Sequence, residues 1–109
     1  MTVLDTAYAA IANPVRRQIL DQLRVHGTLR AGDIAKRFTA VSRPGISRHL
    51  RVLREARLVR LQESADGREQ SYALNAEPLA EIEAWLQPYQ TFWQGKLGEL
   101  KEIIENSDR

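Results

Sequence analysis

Apolar side chains recur at helical spacing through the first part of the chain and predict three helices before residue 39. Asn13 followed by Pro14 predicts the start of the second helix, since asparagine caps a helix and proline suits its first position. Gly27 predicts the end of that helix. The apolar positions are Leu4, Tyr8 and Ile11 in the first helix, Val15, Ile19, Leu20 and Leu23 in the second, and Ala31, Ile34, Ala35 and Phe38 in the third.

A fourth predicted helix has two contrasting faces. Ser42 is a natural N-cap, and Pro44 falls in the first turn, where a missing N–H costs little. At 100° per residue, the apolar face carries Ile46, Leu50 and Leu53, with His49 on its margin. The opposite face carries Pro44, Arg48, Arg51 and Glu55, with Ser47 at its edge. This helix therefore offers one side to a core and a cationic side to a partner.

Two runs of alternating character follow, over residues 58–63 and 69–74, and Asp66-Gly67 between them predicts a β-hairpin. After Asn75, apolar residues recur about every 3.6 positions and predict a last helix. We expect Pro88 to kink or split this helix near Gln87. The predicted fold is mainly α with a small β-hairpin, in the order α-α-α-α-β-β-α, as a single domain over residues 1–109.

Composition narrows the class of protein. The 109 residues are 43% hydrophobic, which is ordinary for a globular domain. No apolar run approaches the roughly 18 residues of a membrane span, and the first residues lack the pattern of a signal peptide, so we expect a soluble cytoplasmic protein. The chain has no cysteine, which excludes disulfides and thiolate metal sites.

The charges are strongly segregated along the chain. Residues 16–60 hold twelve Arg or Lys and three acidic residues, a net charge of +9, whereas residues 61–109 are net acidic. All but one of those twelve cations are arginine, whose planar guanidinium suits phosphate oxygens and guanine edges. A basic block of this size is typical of binding to the phosphates of nucleic acid, although solvated helix faces would produce the same count.

The order of these motifs resembles the ArsR-type family of winged helix-turn-helix repressors. The resemblance covers roughly residues 4–105. Its motifs are Ala12-Asn13-Pro14-Val15-Arg16-Arg17-Gln18-Ile19-Leu20, Ser42-Arg43-Pro44-Gly45-Ile46-Ser47-Arg48-His49-Leu50-Arg51-Val52-Leu53, and the hairpin that contains Tyr72. The resemblance implies a winged helix-turn-helix that binds double-stranded DNA as a homodimer and regulates transcription. Arg57 departs from the family pattern because it stands where glycine usually ends the fourth helix.

Residue roles follow from the resemblance. Ser47, Arg48 and His49 match the family's recognition-helix signature, and Arg43 precedes them. Arg43, Ser47 and Arg48 would contact base edges, Arg51 would contact phosphate, and Arg68 at the tip of the hairpin would contact the DNA backbone. His49 could also act as a catalytic base, but no serine, cysteine or carboxylate pattern supports that role. We interpret it as a half-buried helix residue that hydrogen-bonds backbone or DNA phosphate. The first and last helices would form the dimer interface, through Leu4, Tyr8, Ile11, Trp85, Tyr89, Trp93, Leu97, Leu100 and Ile104.

A metal inducer is not expected. Arg30 and Gly32 occupy positions where the arsenic and cadmium sensors of the family place thiolates, and the last helix has no histidine. Soft and borderline metals need sulfur or nitrogen ligands, and only His26 and His49 remain. The sequence therefore predicts no metal site and no cofactor.

Alternatives remain open for the aromatic cluster and for the function. Trp85, Tyr89, Phe92 and Trp93 could line a ligand pocket instead of a subunit interface. A winged helix could also serve as a protein-interaction module without DNA binding, but that function favours an apolar outer face on residues 43–51, where arginines stand. We find no convergent set of acid, base and nucleophile, so we do not expect an enzyme.

Overall fold

The computed structural model describes residues 2–107, apart from the side chains of residues 3 and 4. The elements within that range confirm the predicted mainly α fold with a β-hairpin. In chain order they are α1 (Val3–Ile11), α2 (Pro14–His26), β1 (Thr28–Arg30), α3 (Ala31–Arg37), α4 (Arg43–Glu55), β2 (Val59–Glu63), β3 (Gln70–Leu74) and α5 (Glu77–Ser107).

Side-chain caps fix where α2 begins and ends. The Asn13 side-chain oxygen accepts hydrogen bonds from the backbone N–H groups of Val15 (2.8 Å) and Arg16 (3.1 Å). Pro14 occupies the first turn, as its fixed φ and missing N–H allow. At the other end, Gly27 adopts φ 85°, which glycine reaches without steric cost. Both predicted boundaries of this helix are confirmed.

The sheet has a strand that the sequence analysis does not predict. β1, between α2 and α3, pairs antiparallel with β3 and places Leu29 opposite Tyr72. β2 pairs with the other edge of β3 and places Leu61 opposite Tyr72, so the strand order is β1-β3-β2. The hairpin is therefore anchored at its base to the segment that leads into α3.

The last helix corrects the expectation at Pro88. α5 runs from Glu77 to Ser107 without a break. Proline removes the hydrogen bond to the carbonyl of Ala84, four residues earlier. Both residues are exposed, so water can satisfy that carbonyl and the helix continues.

The core lies where α1, α2, α3, α4 and the sheet meet. Among residues 2–107, no polar or charged residue is buried as a whole. The apolar face predicted for α4 packs into this core. The largest fully buried side chains are Ile19, Leu23, Ile34, Ile46, Leu50, Leu53 and Leu58.

The end of α4 has an unusual backbone conformation. The N–H of Leu58 donates to the carbonyl of Leu53 (3.0 Å), and the N–H of Arg57 donates to that of Arg54 (2.9 Å), which is the Schellman pattern. Arg57 occupies the left-handed position of this motif with φ 61°. Glycine normally fills that position because an L side chain there costs roughly 1–2 kcal/mol. The helix thus ends where the family pattern places glycine, but with a strained arginine.

Candidate nucleic-acid interface

The start of α4 is fixed by its cap and by close backbone packing. The Ser42 hydroxyl accepts a hydrogen bond from the N–H of Gly45 (3.1 Å), as expected for an N-cap. A Cβ at Gly45 would lie 3.0 Å from Cγ1 of Val41, so a side chain there would crowd the turn. The cap and this close approach hold the first turn of α4 against the preceding loop.

The outward face of α4 is cationic. Arg43, Ser47, Arg48 and Arg51 are all exposed, which is where the sequence analysis places them. In the part of the chain that the structure describes, none of these three arginines forms an ion pair with a carboxylate. Arg43 and Ser47 border α3, whereas Arg48 borders α1 on the other side of the helix. The exposed face of α4 therefore presents three guanidinium groups without carboxylate partners among the described residues.

His49 points into the protein, on the side of α4 that faces α1 and α2. It is half-buried, and its Nδ1 lies 3.3 Å from Nη1 of Arg16. Arginine can only donate, so Nδ1 accepts and the proton of the neutral ring is on Nε2. Burial lowers the pKa of His49, and the nearby charges of Arg16 and Arg48 lower it further. The structure brings His49 close to the cationic face without placing it on that face.

Arg16 connects α1 to α4. Its Nε donates to the carbonyl of Ala10 (2.6 Å) and its Nη2 to that of Ala9 (3.1 Å), at the end of α1. Its Nη1 reaches His49 on α4. From the sequence, Arg16 is only one position of the motif over residues 12–20, with no predicted role. Its partner His49 lies 33 residues away, so no local pattern could reveal the contact.

The tip of the β2–β3 hairpin, which is the wing of the predicted winged helix-turn-helix, is a tight polar turn. The Asp66 carboxylate accepts hydrogen bonds from the Ser64 hydroxyl (2.5 Å) and the Arg68 N–H (3.1 Å), and these bonds lower the pKa of Asp66. Gly67 has φ 71°. The side chain of Arg68 is 85% exposed and lies 3.9 Å from Asp66. The turn therefore presents Arg68 to solvent at the end of the hairpin.

The hairpin is tied to the segment before α3 by Arg30. Its Nη1 bonds the carboxylate of Glu69 (2.9 Å), and its Nε bonds that of Asp33 (3.3 Å). Arg30 is the N-cap residue of α3 but makes no side-chain capping bond. Its guanidinium instead links the turn end of the hairpin, just before β3, to the first turn of that helix.

A long apolar strip on α5 is exposed. Trp85, Tyr89, Trp93, Leu97, Leu100 and Ile104, all predicted for the dimer interface, are 39–59% exposed. Two further large apolar side chains on α5, Phe92 (73%) and Ile103 (65%), are also exposed. This surface runs from Trp85 to Ile104 along the helix and is available to a partner.

The α1 side of the predicted interface is more covered. Tyr8 packs edge-on against Trp85, with ring centroids 5.5 Å apart, and its hydroxyl is buried without a hydrogen-bond partner in the described residues. Burial raises the pKa of Tyr8, with smaller contributions from Asp5 and Tyr89. Ile11 packs against the core. The side chain of Leu4 lies outside the described residues.

Two further features concern metal binding and membrane insertion. Over residues 2–107 we find no group of three or more His, Asp or Glu side chains placed to hold a metal ion. Across the same residues, no helix combines the length and the apolar character that a membrane span requires.

Comparison with known proteins places this arrangement among transcription regulators. Residues 11–62 match a protein family described as "Helix-turn-helix domain". The chain is 36% identical over 83 residues to the transcriptional repressor SdpR of Bacillus subtilis, across 76% of this chain and 88% of that protein. It is also 36% identical over 102 residues to the HTH-type transcriptional regulator Rv2034 of Mycobacterium tuberculosis, across 94% and 89% of the two chains.

Solved structures agree with these sequence relatives. The crystal structure of an ArsR family transcriptional regulator superposes with a TM-score of 0.71 at 28% identity, over 84% of this chain and 91% of that one. The region matched to the helix-turn-helix family contains α4 and its cationic face.

Proposed function

The chain belongs to the ArsR family of winged helix-turn-helix transcriptional regulators, and we propose that it represses transcription by binding an inverted-repeat operator as a homodimer. The observation that carries this proposal is the outward face of α4, where Arg43, Arg48 and Arg51 lack carboxylate partners among the described residues. The sign of regulation is supported by the relative in Bacillus subtilis, which is named a transcriptional repressor.

In this proposal α4 enters the major groove, which is about 12 Å wide and admits one helix. Arg43, Ser47 and Arg48 contact base edges, and Arg51 contacts a phosphate. Arg68 on the wing contacts the neighbouring backbone, which its exposure at the end of the hairpin favours. His49 supports the helix from behind through Arg16 and contributes at most one phosphate contact.

The exposed strip on α5, together with Leu4, Tyr8 and Ile11 of α1, forms the proposed homodimer interface. The apolar side chains of this strip are too numerous and too contiguous for an isolated monomer surface. A two-fold axis through the strip would bury them and set two α4 helices about 34 Å apart, matching successive major grooves. An operator with two-fold symmetry follows from such a dimer. Regulation without a metal inducer is part of the same proposal.

Operator binding is tested by fluorescence anisotropy with the DNA upstream of the gene and with a shuffled duplex of equal length. We expect tighter binding to the upstream DNA. We also expect log K to fall with log salt at a slope of about −5 to −9, for roughly six to ten neutralised phosphates per dimer. A flat salt response would contradict phosphate binding, and equal affinity for both duplexes would contradict sequence-specific regulation.

The dimer interface is tested by sedimentation of the Leu97→Glu/Leu100→Glu variant. These substitutions would place unpaired charge in the strip that the proposed dimer buries. We expect monomers and loss of specific DNA binding together, because the half-sites are then bound independently. Thr91→Glu/Asn106→Glu is the matched control, since helical geometry places both residues on the opposite face of α5. A Leu97→Glu/Leu100→Glu variant that remains dimeric with full operator affinity would move the interface elsewhere.

A further inference from the structure

We propose that the cleft between α1 and α4 is a binding site for a phosphate-class oxyanion. The cleft has a volume of about 500 Å³. Its walls include Ala9 and Ala10 of α1, Arg16 of α2, and Arg48, His49 and Val52 of α4. The oxyanion site rests on the proposed function only for its effect on DNA binding. The side chains that line the cleft would bind an anion whether or not the protein binds an operator.

Several N–H donors that line the cleft have no protein partner among the described residues. Arg16 has five N–H donors, of which three are directed at Ala9, Ala10 and His49. Among residues 2–107, the other two N–H donors of Arg16 have no hydrogen-bond partner. The Nε2–H of His49 and the guanidinium of Arg48 have none either. A ligand that satisfies these groups must accept several hydrogen bonds at once, as a phosphate group does.

The electrostatic balance at this end of the cleft also favours an anion. α2 contributes Arg16, α4 contributes Arg48, and α1 contributes Thr6 with two alanines and no charged side chain. Burial lowers the pKa of His49, and both arginines lower it further. Among residues 2–107, neither arginine forms an ion pair with a carboxylate. Glu55 also lines the cleft, but it lies seven residues after Arg48, about 10 Å further along the axis of α4. The oxyanion therefore binds at the Arg48 end.

Two sources can supply such a group: a phosphodiester of the DNA backbone or a free phosphate compound. In either case Arg48 is shared between the site and the DNA-reading face of α4. A free phosphate compound in the cleft would therefore compete with DNA for Arg48 and lower operator affinity. A backbone phosphate in the cleft would instead dock the edge of α4 nearest α1.

The test follows the two histidines of the chain by NMR, using their Cε1–H signals across a pH titration of the full-length protein. Inorganic phosphate is compared with chloride at equal ionic strength, and operator DNA is added in a separate arm. We expect an oxyanion to move the His49 titration to higher pH, because a nearby negative charge favours the imidazolium. His26 is exposed at the end of α2 and lies outside the cleft, so it is the internal reference, and added phosphate should leave its signal unchanged at each pH.

Arg48→Gln should weaken the phosphate effect about tenfold or more, since a charge-assisted hydrogen bond is lost. Arg54→Gln removes the same charge from an exposed position of α4 outside the cleft, and should leave the effect intact. Both positions are exposed, so both variants should fold, which circular dichroism checks.

An effect of phosphate alone assigns the site to free phosphate compounds, and an effect of operator DNA alone assigns it to the backbone. The proposal is overturned if neither ligand moves His49 relative to His26, or if Arg54→Gln abolishes the effect as fully as Arg48→Gln. Parallel anisotropy measurements separate this result from the proposed function. Operator binding with an unmoved His49 overturns the oxyanion site alone, whereas a phosphate effect without operator binding overturns DNA regulation alone.

Discussion

Replacing Arg57 with glycine should stabilise the protein. Arg57 adopts φ 61° at the end of α4, where its N–H and that of Leu58 close a Schellman motif. Its carbonyl accepts a hydrogen bond from Nδ2 of Asn75 (2.7 Å), which fixes the residue in this conformation. Both interactions involve only the backbone of residue 57, so Arg57→Gly preserves them.

The expected gain is the difference between two backbone effects. A left-handed conformation costs an L residue roughly 1–2 kcal/mol, and glycine avoids that cost. Glycine also loses more freedom on folding, which takes back about 0.4–1 kcal/mol. The net gain in the free energy of unfolding is therefore about 0.5–1 kcal/mol, or a rise in Tm of about 2–4 °C for a chain of this size.

Urea unfolding at one fixed protein concentration measures the gain, because the apparent stability of a dimer depends on concentration. Arg57→Ala removes the side chain but keeps the strained backbone, so it should give no gain. Gly27→Ala is the reverse test: φ there is 85° and a Cβ would meet nothing within 4 Å, so any loss comes from conformation alone. If Arg57→Ala stabilises as much as Arg57→Gly, the backbone explanation is wrong and the arginine side chain is responsible.

Three further predictions concern the DNA-binding face, pH and metals. Arg48→Ala should cost about 1–3 kcal/mol of binding free energy on the preferred operator and relax the choice of base at one position. Arg68→Ala should weaken binding to all DNA sequences evenly. If Arg48→Ala weakened binding to operator and competitor DNA equally, Arg48 would be reassigned to a phosphate contact. The free energy of unfolding should fall as the pH drops through about 6.5, because the unfolded imidazole of His49 takes up a proton before the folded one, whose pKa is lowered. His49→Gln should flatten this dependence in urea titrations at several pH values, and an unchanged slope would refute the assignment. Operator affinity should be the same with and without zinc, cadmium or arsenite, and release by one equivalent of any of them would reveal a missed site.

The helices could be predicted from sequence because their signals are local. The caps at Asn13 and Ser42 and the apolar spacing of α4 are each readable within a few residues, and the structure confirms them. The missed strand β1 has only three residues and no local pattern of its own. It is a strand because Leu29 and its neighbours pair with β3, more than forty residues later. The unbroken helix at Pro88 likewise depends on exposure to water, which spacing alone does not report.

The cationic face of α4 could be predicted from the sequence, but the cleft between α1 and α4 could not. The 100° period places Arg48 and Arg51 opposite the core residues of α4, and the structure finds both exposed. The period also places His49 at a margin, but it cannot say which element faces that margin. The contact with Arg16 depends on how α2 packs against α4, and the identity of that neighbour is a property of the fold as a whole.

Because of where the tryptophans lie, the intrinsic tryptophan fluorescence of the protein reports on α5. The chain has two tryptophans, Trp85 and Trp93, and both lie on the exposed apolar strip of α5 at 49% and 39% exposure. Intrinsic emission excited at the red edge therefore originates from this strip alone, and α4 and the wing contribute nothing to it. Covering the strip would shift the emission to shorter wavelength, so simple dilution of unlabelled protein records its association. Adding DNA changes that emission only if contact at α4 is transmitted to α5, which gives a direct optical measure of coupling between the two halves of the molecule.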